Sequence, residues 1–162
     1  SKRGQAATQT SWLMHEFTLL QELHARGGDV PEPLEHGEQA LLMEFIGDGL
    51  DAAPTLNDVV LEPGEAQRLF ERVLFNVELL LELGWVHGDL SAHNILYQHG
   101  RIILIDFPQV VDCRSNHKAR SLFERDLTRV AEYFADAGWS VDPRRLAQDL
   151  WAKHVGDTDS PE

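Results

Sequence analysis

The chain has 162 residues, 43% of them hydrophobic, and carries 27 Asp and Glu against 14 Lys and Arg, a formal charge of -13. That length and apolar content suffice to bury one core, while so acidic a balance argues against a surface built to coat nucleic-acid phosphates and leaves room only for a local basic patch. Cys113 is the single cysteine, which rules out an intramolecular disulfide; no apolar run is long enough to cross a membrane, and the polar start "SKRGQAATQT" is unlike a signal peptide, so a cytoplasmic protein is expected.

Residues 1–10 lack hydrophobic periodicity and are expected to form a flexible arm. From Ser11, "SWLMHEFTLLQELHARGG" predicts a helix, with Trp12, Leu13, Phe17, Leu20 and Leu23 near helical spacing and Gly27-Gly28 as its stop. "VPEPLEHGEQALLMEFIGDG" reads as a β-hairpin turning near His36-Gly37, its second strand Ala40 to Ile46 ending in Gly-Asp-Gly. "LEPGEAQRLFERVLFNVELLLELGW" is the strongest helix: Ala66, Leu69, Phe70, Val73, Leu74, Val77, Leu80 and Leu81 recur at steps of three and four, Pro63 suits the first turn and Gly84 the end. So wide an apolar stripe predicts a central, buried helix.

Two short strands follow, about Ile95–Tyr97 and Arg101–Ile105, joined by a three-residue loop Gln98-His99-Gly100. Beyond a polar loop through Arg114 to Lys118, "SLFERDLTRVAEYFADAG" opens with a capping-box pattern, Ser121 with Glu124, and predicts a helix to Gly138. A last helix starts at Pro143, and residues 156–162 are expected to fray.

Chemistry concentrates in "WVHGDLSAHNILYQHGRIILIDFPQ", Trp85 to Gln109. With the three-residue loop, Asn94 faces Leu104 and Asp106 lies diagonally from Asn94, a gap of roughly 7 to 8 Å between backbones that two oxygen-bearing side chains can close around one cation. Carboxylate and amide oxygens suit a hard ion such as Mg²⁺, which takes further ligands from phosphates. Asp89, five residues before Asn94, can face the same spot without being a ligand. Any one of these residues alone would be ordinary turn chemistry; Asp106, directly after the apolar run Ile102–Ile105, is harder to explain that way. The eight histidines follow no zinc-ligand spacing, and His87 is assigned to ordering the loop, as Asp126 is to anchoring it from the following helix.

The order H-x-D-L-x-x-x-N, hairpin, apolar strand ending in Asp matches the catalytic and metal-binding loops of protein kinases. "VHGDLSAHNILY" followed by "LIDFPQVV" resembles the RIO-type atypical serine/threonine protein kinases, and the I-D-F-P-Q string is most similar to the second eukaryotic RIO subfamily. The likeness extends outward over roughly Ser11 to Ala137, with "SWLMHEFTLLQEL" similar to the helix C region, "VPEPLEHGEQALLMEFIG" to the hinge and "FERDLTRVAEYF" to the helix after the metal loop.

That resemblance implies an α+β, protein-kinase-like fold: 11–46 a remnant of the N-lobe, with helix C and hinge strands, and 47–155 a mostly helical C-lobe holding the catalytic-loop hairpin. It implies ATP and Mg²⁺ as cofactors and ATP-dependent phosphoryl transfer, as a serine kinase or an ATPase. Asp89 would orient the attacking hydroxyl; Asn94 and Asp106 would hold the metal; Glu16 would be the helix C acid that pairs with a phosphate-binding lysine. Met43 would line the back of the adenine pocket, the Glu44 carbonyl and Ile46 N–H would bond the base edge with Phe45 between them, and Leu96 and Ile105 would form the floor. Ser91 stands where many protein kinases carry a lysine, and its hydroxyl either contacts the γ-phosphate or braces the loop. The family association with ribosome assembly follows from resemblance alone; the protein substrate is open, direct nucleic-acid binding is not expected and no membrane is involved.

The sequence departs from the family in having no glycine-rich phosphate loop and no V-A-I-K-like strand before Glu16, so the N-terminal strands of the N-lobe are absent from these 162 residues and the chain is expected to be an incomplete fragment, not competent alone. Two alternatives stay open: a small-molecule phosphotransferase of the aminoglycoside or choline kinase type, which shares H-G-D-x-x-x-x-N and I-D-F, and a non-catalytic nucleotide-binding or scaffold pseudokinase.

Overall fold

The computed structural model describes residues 2–156, with side chains from Trp12 to Gly156. Helix α1 (Lys2–Ala25) leads into the hairpin β1 (Pro33–His36) and β2 (Leu41–Met43), a tight β3 (Gly47–Asp48)–β4 (Asp51–Ala52) pair, a 3₁₀ turn at Leu56–Asp58, and α2 (Glu65–Glu82). There follow β5 (Trp85–Val86), a 3₁₀ turn at Ala92–Asn94, the hairpin β6 (Ile95–Gln98) and β7 (Arg101–Leu104), β8 (Val111–Asp112), α3 (Ala119–Asp136) and α4 (Pro143–His154). The result is an α+β arrangement of four helices and four two-stranded sheets among the described residues. No described helix is long and apolar enough to cross a membrane.

The apolar stripe of α2 does what its spacing predicts. Ala66, Leu69, Phe70, Val73, Val77, Leu80 and Leu81 are all buried, and the inner face of the β6–β7 hairpin, Ile95, Ile102 and Leu104, completes one continuous core. α3 and α4 close it, with Phe70 edge-on to Phe134 at 5.4 Å between ring centroids and Phe123 against Trp151 at 5.7 Å.

Several local expectations are corrected. Residues 2–10 are not an arm: α1 begins at Lys2, because a run rich in Lys, Arg, Gln and Ala has good helix propensity and simply extends the helix anchored by buried Leu19, Leu20 and Leu23. The tail expected to fray, 156–162, lies outside the described residues except for Gly156. Pro63 precedes the helix instead of opening it; α2 starts at Glu65, whose carboxylate accepts the Glu62 N–H at 2.8 Å. The Ser121–Glu124 capping box does not form, since α3 already begins at Ala119 and the Ser121 hydroxyl donates back to the Lys118 carbonyl.

The β6–β7 loop has two residues, not three. His99 (φ 50) and Gly100 (φ 72) both take the left-handed region, as a tight hairpin of matching twist requires. Gln98 therefore pairs with Arg101, Leu96 with Ile103, and Asn94 comes opposite Ile105, whose N–H donates to the Asn94 carbonyl. The shift of one residue overturns the diagonal placement of Asn94 and Asp106 and brings Leu96, Ile103 and Ile105 onto one half-buried face.

One polar network ties the halves together. The buried Asp29, just past the α1 glycine stop, takes Arg72 Nε at 2.5 Å and Asn76 Nδ2 at 2.8 Å from α2, returns its N–H to Asn76 Oδ1, and gives its carbonyl to the Leu104 N–H of β7. With each polar group satisfied, this buried cluster fixes where α1 ends relative to the hairpin.

Candidate active site

Strands β5 and β8 pair antiparallel, Val86 opposite Val111, and so bind together the loop after β5 and the loop before β8. The first carries Asp89 and the second Asp106. Gly88 (φ 88) lies where a side chain would overlap the Gln109 carbonyl oxygen, which only glycine avoids.

Four side chains, Asp126, Arg125, His87 and Asn94, then hold the backbone from Gly88 to Leu90. The buried Asp126 carboxylate of α3 straddles it, accepting the Gly88 N–H at 2.8 Å and the Leu90 N–H at 3.0 Å, while Arg125 Nη2 donates to the Gly88 carbonyl at 2.7 Å. Burial pushes the Asp126 carboxyl up to about 6, against the two N–H bonds that favour its anion. His87, also buried, donates from Nε2 to the Ile105 carbonyl at 3.0 Å and accepts the Asp89 N–H on Nδ1 at 3.2 Å. That pair of bonds requires the neutral ring, and burial correspondingly lowers the His87 pKa. One imidazole thus spans from the Asp89 backbone to the residue before Asp106.

Asn94 is buried at the end of the 3₁₀ turn. Its Oδ1 accepts the Ser91 N–H at 2.8 Å and its Nδ2 donates to the Asp89 carbonyl, while Ser91 Oγ accepts the His93 N–H at 3.2 Å, a reciprocal capping box. Ser91 therefore braces the loop. Asp106 sits exposed at φ 61, a left-handed conformation that a non-glycine residue adopts only when its surroundings dictate it.

Asp89, Ser91, Asn94 and Asp106 line one cavity of about 640 Å³, and α3 contributes Arg129 to its wall. Glu44, Phe45 and Ile46 line a second cavity of about 390 Å³, facing Gln98, Arg101 and Ile103 of the hairpin. Met43, Leu96 and Ile105 line neither; all three are half-buried, Met43 and Leu96 within strands β2 and β6. Glu16 reaches over from α1, half-buried, its carboxyl raised first by burial and then by the charge of Asp106. Among the described residues no Lys or Arg pairs with it, and no group of three or more His, Cys, Asp and Glu gathers as a metal-ligand set.

Sequence reasoning missed Ile103, which the corrected register sets opposite Leu96, and Arg129, which no local motif marks.

The RIO domain family model matches residues 1–146. This chain belongs to the RIO family. It is 32% identical over 136 residues to the serine/threonine-protein kinase rio1 of Schizosaccharomyces pombe, covering 83% of this chain and 27% of that protein. It is 29% identical over 142 residues to the RIO-type serine/threonine-protein kinase Rio1 of Thermoplasma acidophilum, covering 88% and 73%. Among solved structures, the Rio2 kinase-ADP/Mg²⁺-phosphoaspartate complex of Chaetomium thermophilum superposes with a TM-score of 0.71 at 24% identity, over 93% of this chain and 46% of that one. The RIO fold is thereby assigned. Relatives named Rio1, rio2 and RIO3 all match, so the assignment is to the RIO family as a whole. The chain spans from about a quarter to about three quarters of the length of the RIO relatives it matches.

Proposed function

We propose that this RIO chain carries the catalytic half of an ATP-dependent phosphotransferase acting on a protein hydroxyl. The observation that carries the reading is the convergence of Asp89, Asn94 and Asp106 on one cavity, with their loops locked by His87 and Asp126. The donor chemistry fits Mg²⁺: Asp106 offers an exposed carboxylate, and Asn94 Oδ1, having accepted one N–H, retains a second lone pair. When bound there, Mg²⁺ would neutralise nucleotide phosphates.

Asp89 accepts or orients the acceptor hydroxyl, a task of positioning for which its braced backbone is suited. The adenine side is assigned to the second cavity. At the hinge, the Glu44 N–H already goes to the Glu32 carbonyl and the Ile46 carbonyl takes the Ala53 N–H. The Glu44 carbonyl and Ile46 N–H are assigned to the base edge and Ile103 to the cavity floor, while Met43, Leu96 and Ile105, expected there from the resemblance, lie outside the lining of this cavity.

Competence needs more than these 162 residues. They hold no glycine-rich loop and no strand lysine for Glu16, and Trp12 and Met14 of α1 and Leu34 and Leu42 of the first hairpin are exposed apolar side chains that added strands could cover. We therefore expect the 162-residue chain alone to bind Mg·ATP weakly and to show no turnover above background. Calorimetric titration tests the ligand assignment: Asp106→Asn, which removes a full charge, should weaken Mg·nucleotide binding more than Asn94→Ala, and equal or reversed losses would refute it. Asp106-dependent turnover by the isolated chain would refute the need for added strands.

A further inference from the structure

The cavity at Asp89 is electrostatically unusual for one that must hold a triphosphate. Four of its lining side chains, Asp89, Asp106, Glu132 and Asp136, are carboxylates, and Arg129 is the single Lys or Arg among them. Phosphoryl transfer is accelerated chiefly by positioning and by charge neutralisation, and the loop from Gly88 to Asn94 supplies no Lys or Arg, with Ser91 committed to capping the 3₁₀ turn. Arg129 stands one turn beyond Arg125 and Asp126, the two residues that grip the backbone on either side of Asp89. Its Nη1 donates to Asp89 Oδ1 at 3.2 Å, with both side chains about half exposed. An exposed pair of this kind adds little to stability, so the fold does not require it. The guanidinium has donors to spare, since a single N–H engages Asp89 and the fork carries five.

We infer that Arg129 is a catalytic residue, supplying from α3 the positive charge that stabilises the transferring phosphoryl group beside Asp89. The inference rests on the phosphotransferase reading above. In the step, the acceptor oxygen bonds to the γ-phosphorus as the bond from that phosphorus to the bridging oxygen breaks; ADP leaves with the electron pair, and the hydroxyl proton passes to Asp89 Oδ2. Arg129 keeps Oδ1 turned away from that proton with one N–H and offers the rest of its fork to the equatorial phosphoryl oxygens. A guanidinium suits this role because its planar donors match phosphate geometry.

The test uses the full-length protein, comparing wild type with Arg129→Ala, Arg129→Gln and Arg129→Lys. Calorimetry measures binding of Mg·ADP with and without aluminium fluoride, a stand-in for the transferring group, beside steady-state kinetics. Expected for Arg129→Ala is a kcat about 10²- to 10³-fold lower, Mg·ADP affinity unchanged, and a comparable loss of the extra affinity that aluminium fluoride confers. Arg129→Lys should recover part of both, and the melting temperature should not move. Arg129→Gln replaces the alanine variant if that one fails to fold. Wild-type turnover with an Arg129→Ala kcat within about threefold would overturn the inference and leave the phosphotransferase reading standing. Lost turnover with undiminished aluminium fluoride affinity would also overturn it, since Arg129 would then act only through Asp89. A full-length wild type that binds neither Mg·ADP nor the analogue would sink the phosphotransferase reading and this inference together.

Discussion

Around Asp89 the backbone on both sides is held by side chains from three directions, His87, Asn94 and Asp126, whereas along α1 and the first hairpin Trp12, Met14, Leu34 and Leu42 stand 45%, 51%, 54% and 57% exposed. The corner around Asp89 satisfies its polar groups from within and rests on a core whose hairpin residues Ile95 and Leu104 are fully buried. The α1 and hinge side presents large apolar groups to solvent, in keeping with the proposal that further strands complete it. On the proposed reading, geometry and competence are separable here. The residues that would perform the chemistry are fixed without the elements that would hold the nucleotide against them.

That separation can be broken or sharpened by substitution. The largest effect is expected at Asp89: in the full-length protein Asp89→Asn should lower turnover by about 10²- to 10⁴-fold with nucleotide affinity, read by calorimetry, essentially unchanged. Parallel loss of binding would mean that the corner and the nucleotide cleft are one unit. Next, Leu104→Ala empties a site with no solvent exposure and should destabilise the fold by about 3 to 4 kcal/mol in chemical denaturation.

Asp126→Ala orphans two backbone N–H groups and should cost about 2 to 3 kcal/mol near pH 4. Because burial raises this carboxyl from 3.8 to about 6, the folded protein retains a proton that the unfolded chain has lost in that interval. Its contribution is thus fully present below about 3.8 and declines as pH rises through about 6. The gap between wild type and variant in denaturant titrations should narrow between pH 4 and pH 7, and a widening gap would refute the assignment. Smallest is Leu42→Ser, on the exposed side, which should shift stability by about 0.5 kcal/mol or less.

What the sequence made legible follows the range over which each signal acts. The α2 stripe was readable because helical spacing alone decides which face is buried. Asp89, Asn94 and Asp106 were readable because they fall within one short stretch and their order carries the chemistry. The hairpin register was not, since Gly100 serves a two-residue and a three-residue loop equally well until His99 is seen at φ 50. Arg129 was invisible for another reason: it lies forty residues beyond Asp89, and helical spacing says that it faces outward but not what it meets. The Asp29–Arg72–Asn76 cluster was hidden likewise, because the glycine stop before Asp29 explains that stretch locally and conceals its partners on α2.

The absence of a side chain at Gly88 bears on motion as well as on shape. With the main chain at 88 resting directly on the carbonyl of Gln109, and β5 paired to β8 just behind, the loop bearing Asp89 and the loop bearing Asp106 have no slack between them. They are expected to move together. Any opening of the cavity at Asp89 is therefore expected to be absorbed elsewhere in the chain, and relaxation measurements on the two loops should report a single shared exchange process.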